Sequence, residues 1–127
     1  MIKQSNPAVY FEIPVKDMKR AVSFYNRVFN FQFETDFFDS IEMAYFPFSE
    51  NISGITGALA KGDTYIPTRN GVLTYLFTDN IEKTVKKALK EGAEIVYPVT
   101  LHESIGVSVA EIQDSEGNRI GLHQRTE

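Results

Sequence analysis

Glu12 and His123 are the two side chains of this sequence whose chemistry best suits a catalytic site. Glu12 interrupts an apolar run, and a carboxylate that is buried without a partner costs much free energy, so it needs a cation, water or a metal ion. His123 is one of only 2 histidines, and its side chain can act as a ligand, acid or base near neutral pH. The pair could therefore hold a divalent ion or move a proton.

An ion pair is the structural alternative for the same carboxylate. Arg119 and His123 alternate onto one face of the predicted last strand, because successive side chains of a strand point to opposite faces. Either residue could neutralise Glu12, which is how proteins ordinarily accommodate a buried charge. Arg119 is also the basic residue that we expect to face a ligand.

The aromatic residues indicate an apolar pocket. Tyr75 and Phe77 share one face of a predicted strand, and Phe31, Phe33 and Phe37 share a face of another. Rings with a few polar groups are the usual lining of a small-molecule site. We expect Phe31 and Phe33 to pack beneath a helix, and Tyr75 and Phe77 to line the pocket.

The composition excludes several classes of protein. The chain has 127 residues, a formal charge of −4 and a pI near 5.2, which argues against binding to nucleic acid. It has no cysteine, so a disulfide, a thiolate ligand and a cysteine nucleophile are excluded. No run approaches the roughly 20 apolar residues of a membrane span, and residues 1–7 lack a signal-peptide core. We therefore expect a cytoplasmic protein without a membrane partner.

The elements that would position these residues occur twice along the chain. In the first copy, an alternating strand at 8–15 leads into a helix capped by Asp17, and strands follow at 31–38, 41–48 and 54–60. A polar linker then leads to the second copy. There, a strand at 71–78 precedes a helix that is capped by Asn80 and ends at Gly92, and strands follow at 94–97, 107–113 and 119–124.

The repeats 8–60 and 71–124 predict one domain over residues 1–127. Its fold class is α+β, with two βαβββ modules in tandem. The apolar strand faces pack against the helices, so the opposite faces form half-barrels around a concave cavity. Tyr10 and Glu12 lie on that cavity face of the first strand, where Tyr10 is expected to contact a ligand.

Several segments carry a family resemblance, which extends over nearly the whole chain. They are residues 13–18 with Phe24 and Tyr25, Gly92 after the second helix, and residues 114–120. The last segment is similar to an Asp-Pro-x-Gly-Asn turn, with Ser115 in place of proline. In this order they resemble the vicinal oxygen chelate superfamily, which includes glyoxalase I, bleomycin-resistance proteins, fosfomycin-resistance enzymes and extradiol dioxygenases.

The resemblance implies four metal-ligand positions in the members that use a metal. In this sequence they are occupied by residues without a good ligand for a divalent ion: Tyr10, Ala58, Leu73 and Gly121. We therefore expect no cofactor at the usual positions. Glu12 and His123 lie two residues beyond two of these positions, on the same faces, and could form a displaced site for Zn, Ni, Mn or Fe.

These observations favour a glyoxalase/bleomycin-resistance-like protein that binds a small organic molecule in an aromatic-lined cavity, without the usual metal site. The alternative is a divalent-metal-dependent, glyoxalase-like lyase or isomerase, in which Glu12 moves a proton beside a metal held at the displaced site. A metal-free enzyme using Glu12 and His123 as acid and base is not separated from a binder by the sequence. The resemblance also implies a homodimer.

Overall fold

A computed structural model describes residues 6–125 of the chain. Residues 1–5 and 126–127 lie outside the described residues. They include both ends of the predicted domain and most of the segment that was predicted to lack a signal-peptide core. The elements in chain order are β1 (Phe11–Pro14), α1 (Met18–Phe29), β2 (Glu34–Phe38), β3 (Ile41–Tyr45), β4 (Gly57–Lys61), β5 (Thr74–Phe77), α2 (Ile81–Lys90), β6 (Glu94–His102), β7 (Val107–Gln113) and β8 (Arg119–Arg125).

The strands form two four-stranded sheets of the same topology. Sheet A has the order β1-β4-β3-β2, and sheet B has the order β5-β8-β7-β6. In each sheet the first strand pairs in parallel with the last one, so that Glu12 lies beside Ala58 and Tyr75 lies beside Gly121. Neither sheet is closed. This confirms the predicted α+β fold of two βαβββ modules in tandem.

Both helices begin at the predicted caps. The side chain of Asp17 accepts a 3.0 Å hydrogen bond from the amide of Arg20, and that of Asn80 accepts a 3.1 Å bond from the amide of Lys83. Asn30 ends α1 in the left-handed conformation, with φ of 63°. Within residues 6–125, no helix combines the length and the apolar character needed to cross a bilayer. The cytoplasmic location stays a prediction.

The main core lies between the helices and one face of each sheet. Leu59 and Leu122, which occupy equivalent positions in the two modules, are both fully buried in it. A smaller cluster lies on the opposite face of sheet A, where Met43, Ala58 and Ala60 are buried. Because neighbouring strand residues face opposite sides, the remaining residues of the concave faces are left for contacts outside the core.

The turn at 114–118 joins the two modules. The Oε1 atom of Glu116 accepts hydrogen bonds of 2.8 and 2.9 Å from the amides of Lys16 and Asp17, at the start of α1. Its Oε2 atom lies 2.7 Å from Nε of Arg20. Hydrogen bonds therefore hold the first helix of one module against the last hairpin of the other.

Several strands are shorter than predicted by up to three residues at an end, among them β1, β2 and β5, and two further differences are larger. The strand predicted at 94–97 continues to His102, past Pro98, with register shifts on either side of Tyr97. Proline is tolerated there because β6 is the edge strand of sheet B and its outer side needs no ladder hydrogen bonds. In the first module, β3 ends at Tyr45 and β4 begins at Gly57, so the connection 46–56 includes residues 46–48 and 54–56, which had been expected to be strand.

Candidate functional site

A cavity of about 690 Å³ lies between the first strands of the two modules and the connection 46–56. We call it the aromatic cavity, because six rings line it: Tyr10, Phe11, Phe31, Phe46, Tyr75 and Phe77. Thr56, Thr74 and Ser53 contribute the few polar groups. The structure thus brings Tyr10, Tyr75 and Phe77, all predicted to contact a ligand, to one apolar space.

Tyr75 and Phe77 lie on the concave face of sheet B with much of their surface uncovered. They are 47% and 67% exposed, whereas Leu76 between them is buried in the core. The alternation is that of an ordinary strand, and it confirms the face predicted for both rings. Both rings are therefore left uncovered on this face of sheet B.

The connection 46–56 forms the opposite wall of the aromatic cavity. Its neck is closed by a 2.8 Å hydrogen bond from the Thr56 hydroxyl to the Pro47 carbonyl and by a 3.0 Å bond from the Phe46 amide to the Gly57 carbonyl. Beyond the neck, the side chains of Phe48, Ile52 and Ile55 are exposed. The sequence analysis did not predict this wall, because it assigned residues 46–48 and 54–56 to strands.

Phe31 and Phe33 pack as expected beneath the first helix. The ring of Phe31 stacks on Phe29 with centroids 5.0 Å apart, and Phe33 lies 5.0 Å from Phe46. Phe31 also reaches the aromatic cavity from below. Phe37 does not join them, since it lies in β2 opposite Glu42 and is exposed.

Glu12 is held by two tyrosines. Its Oε2 atom accepts a 3.0 Å hydrogen bond from the Tyr10 hydroxyl, and its Oε1 atom accepts a 2.8 Å bond from the Tyr65 hydroxyl. Burial and the hydrogen bond to Glu12 raise the pKa of Tyr10 to about 12. The proposed ion pair with Arg119 or His123 is therefore replaced by phenol hydrogen bonds. Tyr65 comes from the linker, which carries no periodic pattern that could have placed it there.

Arg119 has a different partner from the one expected. Its Nε atom lies 2.6 Å from Oε1 of Glu111, which faces the same side of sheet B from the neighbouring strand. The hydrogen bond to Glu111 raises the pKa of the Arg119 guanidinium. The role of Arg119 in ligand binding stays a prediction.

His123 lies on β8 and lines a second cavity, next to the aromatic cavity. It pairs in register with Phe77, and its ring centroid is 6.5 Å from that of Tyr75, edge to face. With Phe77 and Arg125 it lines a space of about 700 Å³ on the other side of the connection 46–56. Glu12 and His123 thus lie on different sheets, and their joint catalytic role stays a prediction.

The positions of the usual metal ligands do not fit a divalent ion here. A β-carbon at Gly121 would overlap the ring of Tyr75, so the tyrosine occupies the space where a ligand side chain would begin. Ala58 is buried beside Glu12 and has no ligand atom in its side chain. Across residues 6–125, no three His, Asp or Glu side chains come together as a metal-binding group.

Comparison with known proteins agrees with this architecture. The family model of the Glyoxalase/Bleomycin resistance protein/Dioxygenase superfamily matches residues 8–122. The chain belongs to this superfamily, and the predicted resemblance is confirmed. No curated protein matches it in sequence.

Solved structures with low sequence identity share the fold. A glyoxalase family protein from Bacillus cereus matches with a TM-score of 0.73 and 18% identity, over 100% of this chain and 99% of that chain. An antibiotic binding protein from Streptomyces sp. CB03234 matches with a TM-score of 0.66 and 20% identity, over 98% and 100%. A glyoxalase I mutant from Zea mays matches with a TM-score of 0.68 and 13% identity, over 93% of this chain but 46% of that one. The chain therefore spans about half the length of the maize enzyme.

Proposed function

We propose that this chain binds a small organic molecule in the aromatic cavity, as a glyoxalase/bleomycin-resistance-like protein without the usual metal site. The observation that carries the proposal is the cavity itself, about 690 Å³ lined by rings from both modules with few polar groups. Ligand pockets span roughly 300–1,000 Å³ and have this kind of lining. The cavity is large enough for a molecule of two or three fused rings.

The chemistry of the lining supports binding by stacking and apolar contact. Contact between aromatic rings stabilises a complex by more than the burial of their surface area alone. Tyr10, Tyr75 and Phe77 are the cavity rings that the protein leaves exposed, so a ligand can cover them. A structural neighbour at 20% identity is described as an antibiotic binding protein, which agrees with the proposal but shares only its fold.

The experiment is a titration with a neutral probe, 2-naphthylmethanol, followed by NMR of labelled protein. We expect saturable shifts at Tyr75, Phe77 and Ile55, which line the cavity, and none at Leu101, an exposed apolar residue of β6. Shifts confined to other surfaces, or no shifts at all, would contradict the proposal.

A pair of variants sharpens the test. Phe77→Asp places a charge among the cavity rings without disturbing the core, because Phe77 is exposed, and it should weaken probe binding by at least about tenfold. Leu101→Asp makes the same change on β6 and should bind as the wild type does. Equal binding by both variants would show that the probe does not enter the aromatic cavity.

We also propose that the chain forms a homodimer. The support is the amount of apolar surface left uncovered on both modules, since Val9, Phe37, Phe48 and Val72 are exposed in addition to the cavity rings. Sedimentation velocity at several protein concentrations tests it. A species with the mass of one chain, 14.4 kDa, at all concentrations would contradict it.

A further inference from the structure

Glu12 is surrounded by tyrosines on the concave face of sheet A. Tyr10 precedes it by two residues on the same strand face, and Tyr45 lies across Ala58, which separates the two side chains in the sheet. Tyr65 approaches from the linker and packs on the same face. We call these four residues the Glu12 cluster. Its carboxylate is exposed, so a ligand can reach it.

In the Glu12 cluster, Tyr10 and Tyr65 have no hydroxyl hydrogen left to donate to a ligand. The hydroxyl hydrogens of Tyr10 and Tyr65 are both donated to Glu12. A phenol has a single hydrogen to donate, so each phenol oxygen then offers only lone pairs. A carboxylate has about four lone-pair positions, of which these two bonds occupy two. A ligand that contacts Glu12, Tyr10 and Tyr65 must therefore supply the hydrogen-bond donors.

The charge of the cluster points to the same conclusion. Glu12 supplies a negative charge, and Tyr10 stays neutral because burial and Glu12 raise its pKa to about 12. The hydrogen bond to Glu12 also raises the pKa of Tyr65. Tyrosine rings attract cations to their faces as well. An anion would meet repulsion from the Glu12 carboxylate and from the acceptor oxygens of Tyr10 and Tyr65.

The Glu12 cluster is continuous with the aromatic cavity through Tyr10. The ring of Tyr10 lines the cavity, while its hydroxyl binds Glu12. A molecule whose rings lie against Tyr75 and Phe77 can thus extend a side arm past Tyr10 to the carboxylate. The cavity supplies the apolar contacts and the cluster supplies the polar ones.

We propose that the Glu12 cluster binds a cationic nitrogen group with N–H donors, an ammonium or a guanidinium, carried by the ligand of the aromatic cavity. The ligand class is then an aromatic amine-bearing molecule rather than an organic acid. This inference rests on the proposed function of the cavity, and it adds the identity of the group that fixes the orientation of the ligand. Charge-assisted hydrogen bonds are the stronger kind and therefore dominate selectivity.

The test compares two probes that share one ring system, 2-naphthylmethylamine and 2-naphthylmethanol, by calorimetry at low ionic strength. The amine is positively charged and the alcohol is neutral, so their difference in affinity isolates the cation. We expect the amine to bind roughly tenfold more tightly, as for a hydrogen bond between charged partners. Equal affinities would overturn the inference and leave the proposed function standing. No binding of either probe would overturn both.

Two variants assign the preference to a residue. Glu12→Gln keeps the size of the side chain and removes its charge, so the ratio of the affinity for the amine to that for the alcohol should fall to about twofold or less. Glu94→Gln removes the same charge from an exposed position on β6 and should keep the full preference. Melting curves of both variants confirm that they are folded. If Glu94→Gln lost the preference as Glu12→Gln does, the selectivity would come from net charge and the inference would be wrong.

Discussion

The hydroxyl of Tyr25 donates a 2.6 Å hydrogen bond to Oδ2 of Asp114, and this contact joins the helix of the first module to the final turn of the second. Both residues are buried. Burial and the neighbouring Asp114 raise the pKa of Tyr25 well above its ordinary value, so the phenol remains the donor. The two modules are thus connected inside the core as well as at the surface.

Tyr25→Phe should therefore destabilise the protein. The variant keeps the ring contacts with Phe24 and Phe46 but leaves Asp114 with one donor fewer, at a cost of about 1–3 kcal/mol in the free energy of unfolding. Urea denaturation measures it. The control is Tyr97→Phe at an exposed tyrosine of β6, which should change stability by less than about 0.5 kcal/mol.

The Glu116 carboxylate should produce a distinct pH dependence of stability. Burial opposes its ionisation, but hydrogen bonds from Arg20, Asp17 and Lys16 outweigh burial and lower its pKa from 4.5 to about 2. Because the pKa is lower in the folded state, the stabilisation is present above pH 4.5 and is lost as the pH falls towards 2. The contribution is on the order of 2 to 3 kcal/mol.

Glu116→Gln isolates this contribution. The difference in unfolding free energy between wild type and variant should shrink as the pH is lowered from 5 to about 2. Asp114 contributes in the opposite direction, because burial raises its pKa, but it is present in both proteins and cancels in the comparison. A difference that stays constant over this range would show that Glu116 is not ionised in the contact with α1.

Gly121→Ala should force the ring of Tyr75 to move. The new β-carbon would overlap that ring, and overpacking of this kind costs about 1–3 kcal/mol. In a Tyr75→Ala background the same substitution should cost less than about 0.5 kcal/mol. Unfolding measurements on the four proteins of this cycle give the coupling. Gly62→Ala is the control, because its β-carbon would meet no atom closer than 3.4 Å. Equal costs in both backgrounds would mean that Tyr75 does not occupy this space.

A titration with Mn, Ni and Zn decides whether a displaced metal site exists. We expect no saturable binding of one ion per chain, because both oxygens of Glu12 accept bonds from tyrosines and His123 lies on the other sheet. Elemental analysis of the untagged protein complements the titration. One tightly held ion that is lost in both Glu12→Ala and His123→Ala would instead support the lyase or isomerase.

The helices and the order of elements along the chain were predictable because their signals are local. Asp17 and Asn80 cap their helices through the side-chain bonds that these residue types favour, and period-two alternation placed Tyr75 and Phe77 correctly. The partners of Glu12 and the role of Glu116 were not predictable. Tyr65 is separated from Glu12 by 53 positions and Glu116 from Arg20 by 96, and no periodic pattern connects such distant residues. The length of β6 was not predictable either, because it depends on pairing with β7.

The connection between the third and fourth strands differs between the two modules in length and in the contacts that it makes. In the second module, the turn between β7 and β8 is short and its carboxylates clasp α1. In the first module, the connection 46–56 is long, and its exposed Ile55 lines the aromatic cavity. One module thus supplies contacts that hold the two modules together, whereas the other supplies a wall of the cavity. Substitutions at exposed residues of 46–56 should therefore alter this wall without breaking the hydrogen bonds between the modules.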